Sequence, residues 1–157
     1  MKINVCVADE SHAVYAQQIC DLVYVSAQER GTGIAKRTPE YIAQKMKVGK
    51  AVIALTEEGE LAGFAYVETW SHTLFVANSG LIVAHKFRKT GLAKRIKQEV
   101  FNLSRRKYPD AKIFSITTGA AVMKINSDMG FRPVPFSELT DDAEFWAGCK
   151  GCKNFDI

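Results

Sequence analysis

A short segment of the chain combines basic side chains with one glycine, and this combination suits the binding of a phosphate or pyrophosphate. Glycine lets a ligand approach the backbone closely, and lysine and arginine neutralise its negative charge. The basic residues are Lys86, Arg88, Lys89, Lys94 and Arg95, and the glycine is Gly91. The predicted anion site consists of Arg88, Lys89, Thr90, Gly91, Leu92, Ala93 and Lys94.

The flanking sequence predicts the elements that position this segment. The apolar residues Leu81, Ile82 and Val83 precede it and are typical of the end of a buried strand. After Gly91, apolar residues recur at helical spacing as far as Lys107. The order is therefore strand, basic loop and helix. The first N–H groups of a helix have no intrahelical acceptor, and together with the helix dipole they favour an anion at this place.

The pattern Arg88-x-x-Gly91-x-Ala93 resembles the acyl-CoA pyrophosphate loop of the GNAT superfamily of N-acetyltransferases. Val83, five residues before the arginine, and the later pair Gly130-Phe131 also match that family. The resemblance implies an α/β fold, a central mixed sheet flanked by helices, and acetyl-CoA or another short acyl-CoA as co-substrate. It also implies that the backbone of Leu81, Ile82 and Val83 binds the pantetheine arm and polarises the thioester carbonyl.

The chain departs from the family at the usual acid and base. Many members carry a glutamate on the strand before the loop, which falls at Ala77 to Ser79 here, and a tyrosine where this chain has Asn126. Glu68 on the neighbouring strand is the best replacement carboxylate, although an exposed structural residue is an equally open interpretation. Asn126 can hydrogen-bond a thiolate or the cofactor. Histidine has a suitable intrinsic pKa, but His72 and His85 sit in loops, where a lone histidine is usually a surface residue.

A second resemblance concerns the acceptor. The segment from Gly33 to Glu40 is similar to one near the start of short N-acetylglutamate synthases of the same superfamily. That resemblance implies that Lys36 and Arg37 bind the carboxylate of an amino acid such as glutamate, which indicates amino-acid (arginine) biosynthesis. The segment is short, so a chance similarity and a solvated Arg37 remain open.

Composition sets the remaining expectations. With 157 residues and 47% apolar content, residues 1–157 are predicted to form one domain. The apolar runs are strand-sized and Met1 leads directly into a strand, so we expect no membrane partner and a cytoplasmic location. Cys149 and Cys152 have the spacing of half a zinc site without a second pair, so we expect free thiols and no metal, unless further ligands follow Ile157.

The rest of the chain predicts the frame. An opening strand at 3–7 leads to a helix capped by Asp9 or Ser11, with Ile19, Leu22, Val23 and Val25 on its inner face. A helix starting at Pro39, a three-stranded meander over 51–83, a strand at 112–117, a helix at 120–129 and a short helix within 137–146 complete it. The crossover through the 91–107 helix predicts two parallel strands.

Two functions follow as alternatives. The first is a cytoplasmic N-acyltransferase with a small-molecule amine acceptor, and the sequence leaves a homodimer open. The second is a noncatalytic module that binds CoA or nucleic acid. A net charge of +4 does not separate them, but the basic residues cluster at one helix start rather than along a face with aromatics, so we expect no nucleic-acid partner.

Overall fold

The computed structural model describes residues 2–30, 38–70, 74–115 and 120–132. Two 3-10 helices, at Glu10–Tyr15 and His85–Phe87, accompany the regular elements. The strands are β1 Ile3–Val7, β2 Ala51–Thr56, β3 Leu61–Trp70, β4 Phe75–Val83 and β5 Lys112–Phe114. The α-helices are α1 Ala16–Arg30, α2 Pro39–Lys47, α3 Leu92–Lys107 and α4 Ala120–Asp128.

The five strands form one sheet in the order β1-β2-β3-β4-β5. β1 pairs antiparallel with β2, β2 with β3, and β3 with β4. α1 and α2 lie between β1 and β2 in the chain. β5 lies parallel to β4, since α3 carries the chain back to the starting end of the sheet. The predicted mixed sheet, meander and parallel crossover are confirmed.

Strand alternation divides the core between the two faces of the sheet. On one face, Val67 and Val76 pack against α3 through Ile96 and Val100. On the other, Phe64 packs against α1 and α2 in a cluster that includes Ile19, Ile42 and Met46. We call these the α3 face and the α2 face. Both consist of apolar side chains projecting from alternate positions of the same strands.

A β-bulge interrupts the alternation on β4. Phe64 pairs with Ile82 and Tyr66 with Ser79, so two steps along β3 match three steps along β4. Gly80 lies in the bulge with φ of 65°, and a Cβ there would lie 2.3 Å from Cε1 of Tyr66. Only glycine fits this position without displacing the ring. Because the extra residue lies between them, Asn78 and Leu81 both face α3 although they are three positions apart.

Local signals explain the helix starts. The Asp9 side chain accepts the backbone N–H of Ser11 at 2.9 Å, which confirms the predicted cap, although the first turns form a 3-10 helix before α1. Thr38 caps α2 by accepting the N–H of Tyr41 at 3.1 Å, and Pro39 follows it.

The prediction that α1 buries four apolar side chains is wrong at one position. Ile19 and Val23 are buried and Leu22 is partly buried, but Val25 is 47% exposed. The predicted inner stripe was too wide, because Ser26 takes the next buried position of α1. The segments 31–37, 116–119 and 133–157 lie outside the described residues, and with them the predicted helix within 137–146, Cys149 and Cys152.

Candidate functional site

The loop between β4 and α3 has a fixed shape. Lys89 and Gly91 both adopt left-handed conformations, with φ of 64° and 81°. The hydroxyl of Thr90 donates to the carbonyl of Phe87 at 2.6 Å, and the Phe87 side chain is buried. The loop is therefore anchored to the core immediately before α3 begins.

The start of α3 presents backbone donors to the surface. Gly91 is the N-cap and provides no side-chain acceptor, and the N–H of Arg95 is bonded to the Gly91 carbonyl at 3.2 Å. The amides of Leu92, Ala93 and Lys94 precede that first helical bond, so they have no intrahelical acceptor. No heavy atom lies within 4 Å of the position that a Gly91 Cβ would occupy. Open donors at a helix N-terminus suit a phosphate group.

Three of the basic residues predicted around this loop are engaged within the protein. Arg88 Nε donates to the Val83 carbonyl at 3.2 Å and its Nη2 to Ser26 Oγ at 3.1 Å, which ties the loop to α1. Lys86 pairs with Glu60 at 2.8 Å, and Arg95 donates to the Ile3 carbonyl at 2.9 Å. Lys89 and Lys94 are exposed beside the α3 amides.

The described pairing between β4 and β5 is short. The parallel pairing runs from Phe75 with Lys112 to Ala77 with Phe114, and Ser115 already lies outside the strand. β4 continues to Val83, so within the described residues this part of its edge has no ladder partner. The edge includes the predicted positions Leu81, Ile82 and Val83 and leads directly into the loop.

On the α2 face, Glu68 belongs to a closely packed polar cluster. Its carboxylate accepts a hydrogen bond from the Tyr41 hydroxyl and forms an ion pair with Lys45. Lys45 also donates to the Val67 carbonyl at 2.9 Å, and its Nζ lies 5.5 Å and 5.8 Å from the ring centroids of Tyr41 and Tyr66. The Glu68 and Lys45 side chains are only 16% and 14% exposed. An ammonium group is therefore held here by a carboxylate and two aromatic rings.

On the α3 face, two buried amide oxygens have no hydrogen-bond partner among the described residues. Asn78 Nδ2 donates to Ser104 Oγ at 2.7 Å, but Asn78 Oδ1 is buried without a hydrogen bond. Asn126 on α4 is also buried, and its Oδ1 has no donor. Unpaired buried carbonyl oxygens are costly unless a ligand or water donates to them. Asn126 thus has an open acceptor within the described part of the chain, and its predicted contact to a cofactor stays a prediction.

Sequence reasoning missed Lys97, which is buried on α3 at 1% exposure with its Nζ 4.7 Å from the centroid of the Phe131 ring. A signal was present, because Lys97 lies four residues from both Ala93 and Phe101 on the apolar side of the helix. The predicted residues Lys36 and Arg37 lie outside the described residues. They directly precede α2, the helix that carries Tyr41 and Lys45.

The comparisons with solved structures decide the architecture. An acetyltransferase of the GNAT family from Staphylococcus aureus superposes with a TM-score of 0.72 at 15% identity, over 90% of this chain and 92% of that one. The chain has the GNAT fold. No protein-family model matches the sequence, and no curated protein matches it.

Two further structures with the GNAT fold contain ligands. N-acetylglutamate synthase from Neisseria gonorrhoeae, complexed with coenzyme A and N-acetyl-glutamate, gives a TM-score of 0.71 at 18% identity. The match covers 90% of this chain but only 31% of the synthase. Diaminobutyrate acetyltransferase from Paenibacillus lautus, in complex with L-2,4-diaminobutyric acid and coenzyme A, gives 0.62 at 14% identity, over 82% and 74% of the two chains.

Within this GNAT fold, the candidate groups lie towards opposite ends of one part of β4. Glu68 pairs with Ala77, the residue at which β4 leaves β5, and the α3 loop follows the far end of the same edge. No three His, Cys, Asp or Glu side chains in the described ranges could hold a metal ion. In the same ranges, no helix combines the length and apolar character needed to cross a membrane.

Proposed function

We propose that the protein transfers an acetyl or similar short acyl group from acyl-CoA to the primary amine of a small acceptor. One observation carries the proposal: the uncapped amides of Leu92, Ala93 and Lys94 lie at the end of the free β4 edge. The residues present fit a coenzyme A molecule. The helix start suits its pyrophosphate, and a free strand edge suits the amide groups of its pantetheine arm.

The chemistry needs little more from the protein. The acceptor amine must be deprotonated, and the thioester carbonyl must be polarised as negative charge develops on its oxygen. Backbone N–H groups near Leu81, Ile82 and Val83 would supply that polarisation, with Arg88 holding the loop and Lys89, Thr90 and Gly91 facing the phosphates. Asn126 would accept a hydrogen bond from the cofactor through its open Oδ1.

The acceptor would bind on the α2 face, where Glu68 is the proposed base. This carboxylate already holds the ammonium of Lys45 between two tyrosine rings, so the same place suits an amine substrate. An incoming amine would displace Lys45 and lose its proton to Glu68. We further propose a small amino acid such as glutamate as the acceptor, with its carboxylate bound by Lys36 and Arg37, in cytoplasmic amino-acid biosynthesis.

Calorimetric titration with CoA tests the first part. Gly91→Val should abolish measurable binding, because a branched side chain would obstruct the amides. Gly49→Val is the matched control, since Gly49 also has a positive φ of 73° and a Cβ there would meet only the flexible end of Lys107. Equal CoA affinity in the Gly91 variant and the parent would refute the site.

A mass-spectrometric assay with several acyl-CoAs and a pool of amino acids tests the transfer. Glu68→Gln should lower turnover about 100-fold or more, as expected for loss of a general base. Glu60→Gln, which alters an exposed carboxylate paired with Lys86, should leave turnover unchanged. Arg37→Ala should raise the Michaelis constant for glutamate far more than that for acetyl-CoA. Binding of CoA without turnover of any amine would instead favour the noncatalytic module.

A further inference from the structure

Among the residues that the structure describes, the buried ammonium group of Lys97 has no counterion. The residue is 1% exposed, and within the described part of the chain its Nζ forms no hydrogen bond or salt bridge. Its only aromatic partner there is the Phe131 ring, 4.7 Å from Nζ to centroid. Burying a charged amine in this way costs free energy, and an apolar side chain of the same size would avoid the cost.

The position of Lys97 along β4 follows from one hydrogen bond. Asn78 and Ser104 are bonded at 2.7 Å, which fixes the register of α3 against the strand. Lys97 lies seven residues before Ser104, so it projects from the same side of the helix, about 10 Å nearer its start. Because α3 runs opposite to β4, that distance corresponds to about three strand residues beyond Asn78. Lys97 is therefore level with Leu81, which packs against the α3 face.

The surroundings of Lys97 connect it to the second open amide. The Phe131 N–H donates to the Asn126 carbonyl at 2.9 Å, so the ring over Lys97 is fixed to the end of α4 that carries Asn126. The Phe101 ring packs against Phe131 at 5.7 Å between centroids and helps exclude water. The side of α3 that carries Lys97 and Ser104 therefore contacts Asn78 of β4 and the Phe131 ring that follows α4. Among the described residues, both neighbouring elements carry a buried amide oxygen without a donor, on Asn78 and on Asn126.

We propose that Lys97 is the acid that protonates the leaving thiolate of coenzyme A. The inference rests on the proposed function, which places the thioester at Leu81 to Val83. As the tetrahedral intermediate collapses, the C–S bond breaks and its electron pair goes to sulfur. The ammonium of Lys97 gives one proton to that sulfur, and the neutral amine regains a proton from solvent. The proton released by the acceptor amine leaves separately through the base.

The electrostatic surroundings favour proton transfer. Burial lowers the pKa of Lys97 from 10.5 to about 8, close to the range of an ordinary thiol. Burial is the cause of this shift. The charged groups of α4, Lys124 and Asp128, pair with each other at 3.6 Å and are exposed, and the β4 residues on this face are uncharged.

Titration of the thiol of bound CoA, followed by the ultraviolet absorbance of the thiolate, tests the contact directly. A nearby ammonium should lower the thiol pKa in the parent complex, and Lys97→Met should remove that effect while CoA still binds. Lys107→Met, an exposed lysine at the end of the same helix, is the control. Equal thiol pKa values in the parent and the Lys97 variant would overturn the proposal.

Kinetics provide the second measurement. Lys97→Met should lower turnover about 100-fold or more with little change in the Michaelis constant for acetyl-CoA. Lys97→Arg should not restore it, because a guanidinium does not release its proton. Full turnover in Lys97→Met, or an acetyl group found on Lys97 by intact mass, would overturn the assignment and leave the proposed function standing. A parent that binds no CoA would refute both.

Discussion

The two faces of the sheet treat buried charge in opposite ways. On the α2 face, Glu68 forms an ion pair with Lys45 and accepts a hydrogen bond from Tyr41. The carbonyl of Val67 accepts a further hydrogen bond from Lys45. On the α3 face, Lys97 is buried more deeply and has no carboxylate partner among the described residues. A closed network keeps its members in place, whereas an isolated ammonium costs stability. This difference is what the proposed acid role of Lys97 requires, because its ammonium would then serve a ligand rather than folding.

Breaking the closed network should give the largest effect. Lys45→Met would leave the Glu68 carboxylate uncompensated, and loss of one partner from a buried pair costs about 3 to 5 kcal/mol of unfolding free energy. Urea denaturation measures this loss. The double variant Lys45→Met with Glu68→Gln should recover most of it, because the stranded charge is gone. Additive losses in the double variant would show that the pair is not coupled.

Removing the isolated charge should act in the opposite direction. Lys97→Met should raise the free energy of unfolding at pH 7 by about 3 kcal/mol, since each unit of pKa shift corresponds to about 1.4 kcal/mol. The folded-state pKa of Lys97 is about 8 and its ordinary value 10.5, so between them the unfolded chain binds the extra proton. The free energy of unfolding of the parent protein should therefore rise with pH between about 8 and 10.5, as Lys97 loses its charge.

Comparing parent and variant at each pH isolates this effect from the Cys6 and Cys20 thiols, whose pKa values burial raises. Those thiols remain in both proteins and cancel in the difference. The stabilisation by Lys97→Met should be complete below pH 8 and disappear above pH 10.5. A difference that does not vary with pH would mean that Lys97 is uncharged, or solvated, in the folded protein.

A substitution in the β-bulge of β4 should have a smaller effect on stability. Gly80→Ala should cost about 2 kcal/mol, because a left-handed residue with a Cβ is strained and the Tyr66 ring must move. Gly130→Ala has the same sign of φ, and its Cβ would meet no atom within 4 Å, so it measures the backbone strain alone. Thermal unfolding of both variants provides the comparison, and equal losses would mean that the ring contact contributes nothing.

The sequence predicted the sheet well because its signals are local. Alternation, turns and the crossover helix indicated β1 to β5, and Asp9 was one of two residues predicted from their neighbours alone to cap the first helix. The order of strand, loop and helix also located the uncapped amides. The hydrogen bonds that form the helix caps span only a few residues.

The side-chain clusters were less accessible to sequence. Tyr41 and Glu68 are 27 residues apart, and nothing in their spacing indicates that a helix and a strand bring them together with Lys45. Lys97 was not identified, because its burial depends on how α3 packs against β4 and Phe131. Arg88 was correctly placed in the loop, but its bond to Ser26 depends on the position of α1.

The parallel seam between β4 and β5 also has a consequence for motion. In the described ranges, only Phe75, Val76 and Ala77 of β4 pair with β5, whereas the meander strands pair along most of their lengths. A short seam at the sheet edge can open without disturbing the antiparallel strands, so its opening free energy lies well below that of global unfolding. Amide protons of Ile113 and Phe114 should therefore exchange with solvent long before those of β3. Such local opening would expose the β4 edge to a long, flexible ligand while the rest of the sheet stays closed.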